Sequence, residues 1–321
     1  MSLGRARVTR CAPAAVSALA LAGVGWWASR QQLPALPAGR DQLSALAGAM
    51  ALYALVMLVR CERWHQLLAL TGVPSKRADA YGLVTVGYMA NNTLVARAGD
   101  VLKVVLSAGR TGAATTRIAG LAIGERALDA VALLLLFVLA GLLSPRLGFT
   151  GSGTLLRDGA IAAVAGLALV VGAFFARHTR PAARVRRELV EAVRALRPLA
   201  GRRAAGLLMM SVGLWLAEAG VYLAVGRAVD IRIGLLACVQ IVALVNLIGL
   251  VPAAPANLGT FDAAVLFATR GLSSASGALA YVLVLRLVLF VPVTLVGLVV
   301  LLTRHGGLSR LRAQRPLSSP T

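Results

Sequence analysis

Negative charge is scarce in this chain of 321 residues, with 12 Asp and Glu against 33 Lys and Arg for a net +21. Aromatic residues make up only 5% of it, and there are three histidines and three cysteines. Each shortage excludes something. A nucleic-acid binder of such charge would carry stacking aromatics on a polar surface, so nucleic acid is set aside as a partner. Cys11, Cys61 and Cys238 are far apart with no CxxC or Cys/His spacing, which gives no disulfide framework and no structural zinc site. There is no Walker A, HExxH or GxSxG motif, no GxGxxG in a soluble βαβ setting, and no long polar segment for an ATPase or transferase domain. The expectation is a protein that is not an enzyme and has no cofactor, metal site or catalytic residue.

What is abundant is apolar side chain, 59% of the sequence with only 14% charged, which points to a membrane protein with a basic cytoplasmic side. A span requires about 20 apolar residues to cross about 30 Å of hydrocarbon. Six runs qualify: Cys11 to Ala28, Leu43 to Val59, Ile118 to Leu143, Gly159 to Ala176, Ala204 to Gly226 and Ser276 to Thr303. The first reads as a signal anchor in preference to a cleaved signal peptide, because its small-residue cleavage site is unconvincing.

Two further apolar stretches are interrupted. Ala80 to Arg110 is broken by Asn91, Asn92, Arg97, Gly99, Asp100 and Lys103, and Ile233 to Arg270 by Asn246, Pro252, Pro255, Asn257 and Gly259. Backbone freed at such breaks is tolerated in a membrane only inside protein or beside a wet cavity, so re-entrant hairpins are expected. Kinked spans or pairs of short interfacial helices are the alternatives. With hairpins, 23 Lys and Arg fall on the cytoplasmic side, 7 outside, and Arg97, Arg126 and Arg286 within the apolar regions. That distribution favours six crossings with both termini cytoplasmic. A shift of 160 residues lays Gly99 on Gly259, Arg110 on Arg270 and Arg126 on Arg286, with one hairpin opening to each side. The expected fold is an all-α integral membrane protein of six transmembrane helices plus two re-entrant hairpins in an inverted repeat, approximately 80–143 and 233–303. Such repeats place a site near mid-membrane. The single membrane domain would run over 1–303, with a basic amphipathic cytoplasmic segment over 177–203 and a disordered basic tail over 304–321.

Ionisable residues inside spans mark partners or cavities. Glu125, Arg126 and Asp129 cluster on one side of a helix, and Glu218 and Arg286 lie deep in separate spans where they could neutralise each other. Half-helix ends present unpaired N–H groups suited to an anion, with Arg97 and Lys103 adding charge and Asn91, Asn92, Asn246 and Asn257 adding donors and acceptors. For each of these residues a structural pair or a helix cap is the competing explanation.

The segments NNTLVARAGDVLKVVLSAGRTG and LAIGERALDAVALLLL resemble the transmembrane region of lysylphosphatidylglycerol synthases and the stand-alone flippase-like membrane proteins related to it. That family shows an Asn, a turn ending in Gly and an acid, then an acidic-Arg pair and an Asp at the head of a long span. The matching positions are Asn92, Arg97, Gly99 and Asp100, then Glu125-Arg126 and Asp129. A second block matches Pro252, Pro255, Gly259, Asp262 and Arg286, and the resemblance covers most of residues 43 to 303. Asp replaces the usual Glu at 100 and 262, and Ala96 and Ala98 depart from the usual residues. The resemblance implies movement of a lipid with a polar, phosphate-bearing head between leaflets of the plasma membrane, with no synthase domain. The alternative is a scaffold for a separate lipid or glycan biosynthetic enzyme.

Overall fold

A computed structural model describes Trp26 and residues 29–30, 37–94, 98–143, 201–249, 255–269 and 272–304. All of the expected span at Cys11 to Ala28 except Trp26, the expected span at Gly159 to Ala176, Arg97, nearly all of segment 177–203 and the tail beyond Arg304 lie outside those residues. The described chain is helical: α1 (Arg40–Leu70), α2 (Arg77–Thr93), α3 (Ala98–Thr111), α4 (Thr115–Leu143), α5 (Arg202–Ala228), α6 (Leu235–Ile248), a 3-10 turn (Pro255–Asn257), α7 (Thr260–Ala268) and α8 (Ala275–Arg304). Of these, α1, α4, α5 and α8 are long and apolar enough to cross a membrane. They carry the four expected spans that fall within the described residues.

Each interrupted stretch is two helices around a break, as its polar residues require. The first break lies between Thr93 and Ala98, the second between Ile248 and Thr260. At the second, Ala256 and Asn257 sit at φ 52° and 49°, and Gly259, at φ 84°, precedes the first turn of α7. A left-handed backbone costs a non-glycine residue free energy and persists only where its surroundings fix it. Asp262 provides part of that fixing, because its carboxylate accepts a hydrogen bond from the Gly259 N–H at 2.9 Å.

The helix boundaries follow the offset of 160 residues through four elements, pairing α1 with α5, α2 with α6, α3 with α7 and α4 with α8. Packing follows it too. The most extensive contacts are α1 with α5, α2 with α8, the arms of the first hairpin with each other, and α4 with α6, followed by α5 with α6 and α1 with α2. Exchanging the two sets of four maps the α2–α8 contact onto α4–α6, α1–α2 onto α5–α6, and the arms of one hairpin onto those of the other, while the α4–α5 contact is more extensive than its counterpart between α8 and α1. At one end of the bundle Arg304 donates to the Ala78 carbonyl and Arg110 donates to the Arg304 carbonyl. At the other, Gln42 donates to the Asp230 carboxylate.

The closest packing uses missing side chains. A Cβ on Gly99 would lie 2.0 Å from the Gly87 carbonyl oxygen, and one on Gly297 would lie 2.5 Å from that of Thr85. The arms of the first hairpin, and that hairpin with α8, therefore meet backbone to backbone. Leu, Val and Ile side chains of α4 and α8 such as Leu142, Leu143, Leu295 and Val299 remain exposed, as a lipid-facing surface requires.

Candidate polar cavity and its ion pairs

The apolar run of α1 ends at Val59, but its buried stripe does not. Tyr53, Val56, Arg60, Arg63 and Leu67 follow helical spacing and are all buried. Arg60 and Arg63 are therefore corrected from the cytoplasmic loop to the protein interior, 5% and 1% exposed. On the facing helix α5, Ser211, Trp215, Glu218 and Tyr222 form the matching stripe.

Arg63 is the centre of a sealed network. Its guanidinium donates to Asp129 at 2.5 and 3.0 Å, to Glu125 at 3.0 Å and to the Ser211 hydroxyl at 2.6 Å. Trp215 Nε1 donates to the same Asp129 at 3.2 Å. Lys103 Nζ completes the set by donating to Glu125 at 2.6 Å while lying 3.9 Å from the centre of the Trp64 ring. Two cations against two carboxylates, all buried, are what makes such charges tolerable in a low-dielectric interior.

One helical turn away, Arg60 donates to Glu218 and to the Tyr88 hydroxyl, with its guanidinium over the rings of Tyr88 and Trp215. Asn246 Nδ2 donates to the other Glu218 oxygen at 3.4 Å and to the Val242 carbonyl at 2.9 Å. The neutralisation expected between Glu218 and Arg286 is therefore absent, because Arg60 occupies Glu218. Arg286 instead forms a two-pronged pair with Asp262, at 2.5 and 2.7 Å, and reaches the Ala256 carbonyl at 3.4 Å. Arg126 makes the corresponding contact in the first half, donating to Asp100 at 2.8 Å, where Asn91 Nδ2 also donates at 3.2 Å. Each of these two arginines thus reaches across to an acid in the first turn of its hairpin's second arm.

These groups border a cavity of about 120 Å³ between the two breaks. Of the expected site residues, Asn92, Arg126, Glu218, Asn246 and Asn257 line it. Asp100, Asp262 and Arg286 brace residues of its wall through the pairs above. Glu125, Asp129 and Lys103 belong to the sealed network instead, while Gly99 and Gly259 shape the hairpins. Sequence reasoning passed over Arg60, Tyr53, Tyr88, Trp215 and Tyr222, all in the wall. The stripe from Tyr53 to Leu67 is the signal that would have found Arg60. Among the described residues no group of three or more His, Cys, Asp or Glu is placed to hold a metal ion.

Comparison with known proteins adds one finding. No curated protein and no solved structure matched the chain. The family model described as the lysylphosphatidylglycerol synthase TM region matches residues 8–297. This chain belongs to the lysylphosphatidylglycerol synthase transmembrane-region family.

Proposed function

We propose that the protein is a flippase-like lipid transporter of the cell membrane, moving a phospholipid or another lipid with a polar head between leaflets. The observation that carries this reading is the polar cavity itself, set between two broken helices and walled by Arg60, Arg126, Glu218 and four asparagines within a bundle of apolar helices. A head needs such a wall to replace water, while its acyl chains remain in the surrounding lipid. Six crossings, an inverted repeat and cytoplasmic termini fit this reading. With Arg60, Arg63 and Lys103 counted as interior, the expected cytoplasmic side still holds 20 Lys and Arg against 7 outside. In reconstituted vesicles the wild-type chain is expected to equilibrate a fluorescent phospholipid between leaflets, and a well-folded Arg126→Gln, Arg286→Gln double variant is expected to lose at least tenfold in rate. Unchanged translocation by that variant would reject a role for these guanidinium groups.

A second reading, a membrane scaffold for a separate lipid or glycan biosynthetic enzyme, is favoured by one observation: Arg60, Arg63, Lys103, Arg126 and Arg286 each have a carboxylate partner. Wild-type vesicles that show no translocation above protein-free controls would select it. The topology has its own check. Single cysteines at Gly112 and Leu272, in a chain lacking Cys11, Cys61 and Cys238, are expected to differ in labelling by an impermeant thiol reagent on intact cells. Equal labelling would remove the inverted arrangement.

A further inference from the structure

The two halves of the fold hold their matching arginines differently. Arg286 is fully engaged: Nε and Nη2 donate to Asp262 at 2.5 and 2.7 Å, Nη1 reaches the Ala256 carbonyl at 3.4 Å, and its guanidinium lies 5.1 Å from the ring centres of Phe261 and Phe290. Arg126 donates from one nitrogen among the described residues, Nη2 to Asp100 at 2.8 Å, and its Nη1 lies 3.9 Å from Asp129, beyond hydrogen-bond reach. The Arg126 side chain is 29% exposed and lines the cavity, while Arg286 is 18% exposed and does not line it. The carboxylates differ in the same direction. Asp100 is 29% exposed and also accepts from Asn91 Nδ2 at 3.2 Å, so it is neither buried nor unpaired when Arg126 turns away. Asp262 is 6% exposed, and release of Arg286 would strand a buried charge. A guanidinium has five N–H donors in a fork that suits carboxylate and phosphate alike. Arg126, with donors to spare and an acid that is released cheaply, is built to trade that acid for another anion.

We propose that Arg126 alone of the two grips the phosphate of the lipid, exchanging Asp100 for a phosphate oxygen at the cavity wall, while Arg286 stays paired with Asp262. The inference rests on the transporter reading and divides between the matching arginines a role that the reading gives to both. Asp100 is the resident anion. It holds the guanidinium in place when no lipid is bound, and its return to Arg126 expels the phosphate. Removing the Asp100 charge should therefore tighten binding, because the competitor and its repulsion of the phosphate vanish together. The same change at Asp262 should not, because the guanidinium it would free does not line the cavity.

The test titrates the full chain, in maltoside micelles and phosphate-free buffer, with phosphatidic acid, with diacylglycerol of the same acyl chains, and with inorganic phosphate. Affinity is read from the rise in melting temperature above each variant's own ligand-free value. Phosphatidic acid is expected to stabilise the wild-type chain well beyond the other two. Asp100→Asn is expected to bind phosphatidic acid about fivefold more tightly, the scale of one partly exposed ion pair, and Asp262→Asn to leave affinity unchanged. Both variants add one positive charge, so they separate a local exchange from the pull of a basic chain. Arg126→Gln is expected to weaken phosphatidic acid binding about tenfold, and it decides the matter if Asp100→Asn does not fold. No phosphatidic acid effect on the wild type, equal affinity in wild type, Asp100→Asn and Arg126→Gln, or equal tightening by Asp262→Asn would overturn the exchange. Stabilisation by inorganic phosphate equal to that by phosphatidic acid would overturn the lipid-borne assignment. None of these outcomes decides the transporter reading, which stands or falls on translocation in wild-type vesicles.

Discussion

Replacing Arg63 with methionine is expected to destabilise the protein by about 3–5 kcal/mol, because it leaves the buried Asp129 with only the Trp215 indole N–H and a longer contact of 3.9 Å to Arg126, and leaves Glu125 with Lys103 as its hydrogen-bonded partner. The guanidinium serves Asp129, Glu125 and Ser211 at once, tying α1 to α4 and α5. Methionine fills much of the space but donates nothing. The loss should appear as a lower melting temperature in detergent and a smaller folded yield. Adding Asp129→Asn removes the stranded charge and should recover a large share, since Lys103 continues to neutralise Glu125. Arg63→Lys should fall between, because an ammonium cannot keep the fork to Asp129 while reaching Glu125. A melting temperature unchanged in Arg63→Met would show that the network is solvated.

The pair of Arg60 and Glu218 should behave differently when it is dismantled as a unit. Arg60→Met alone leaves Glu218 buried with only the Asn246 amide beside it, again at about 3–5 kcal/mol. Glu218→Gln alone strands the guanidinium between two aromatic rings. The double change Arg60→Met, Glu218→Gln should restore most of the stability, because neither charge remains. Because both residues line the cavity, the restored protein should still translocate lipid poorly. A double variant that recovers folding and translocation together would make the pair a structural element alone. Comparing the singles with the double isolates the coupling between the two side chains.

The contrast between these arginines and those at 126 and 286 shows what the sequence could disclose. Long apolar runs disclosed α1, α4, α5 and α8, since length against hydrocarbon thickness is a one-dimensional criterion. Polar breaks disclosed both hairpins for the same reason. Arg286 stood out because it is flanked by apolar residues on both sides, and Arg126 because it stands with Glu125 and Asp129 in a polar cluster inside a long apolar run. Arg60 and Arg63 follow the last apolar residue of a run, where the positive-inside tendency offers a sufficient explanation, and only the onward spacing of Trp64, Leu67 and Leu68 argues otherwise. Partners were less legible still. Glu218 is 158 residues from Arg60 and had two deep arginines within plausible reach, so the choice depended on helix packing that hydropathy does not encode. Aromatic wall residues such as Tyr88 and Tyr222 resemble ordinary core residues until a cavity appears beside them.

The side-chain-free contacts of Gly87, Gly99 and Gly297 restrict how such a cavity can open. Sliding one element past another by a helical turn, about 5.4 Å, would drive a bulky residue into a space where, at Gly99 and Gly297, even a methyl group collides with backbone. The first hairpin and α8 are consequently interlocked and must travel as one jaw. Freedom to bend is left to the links between elements, such as Gly112 between α3 and α4, which sits in the left-handed region at φ 70° with open space around it.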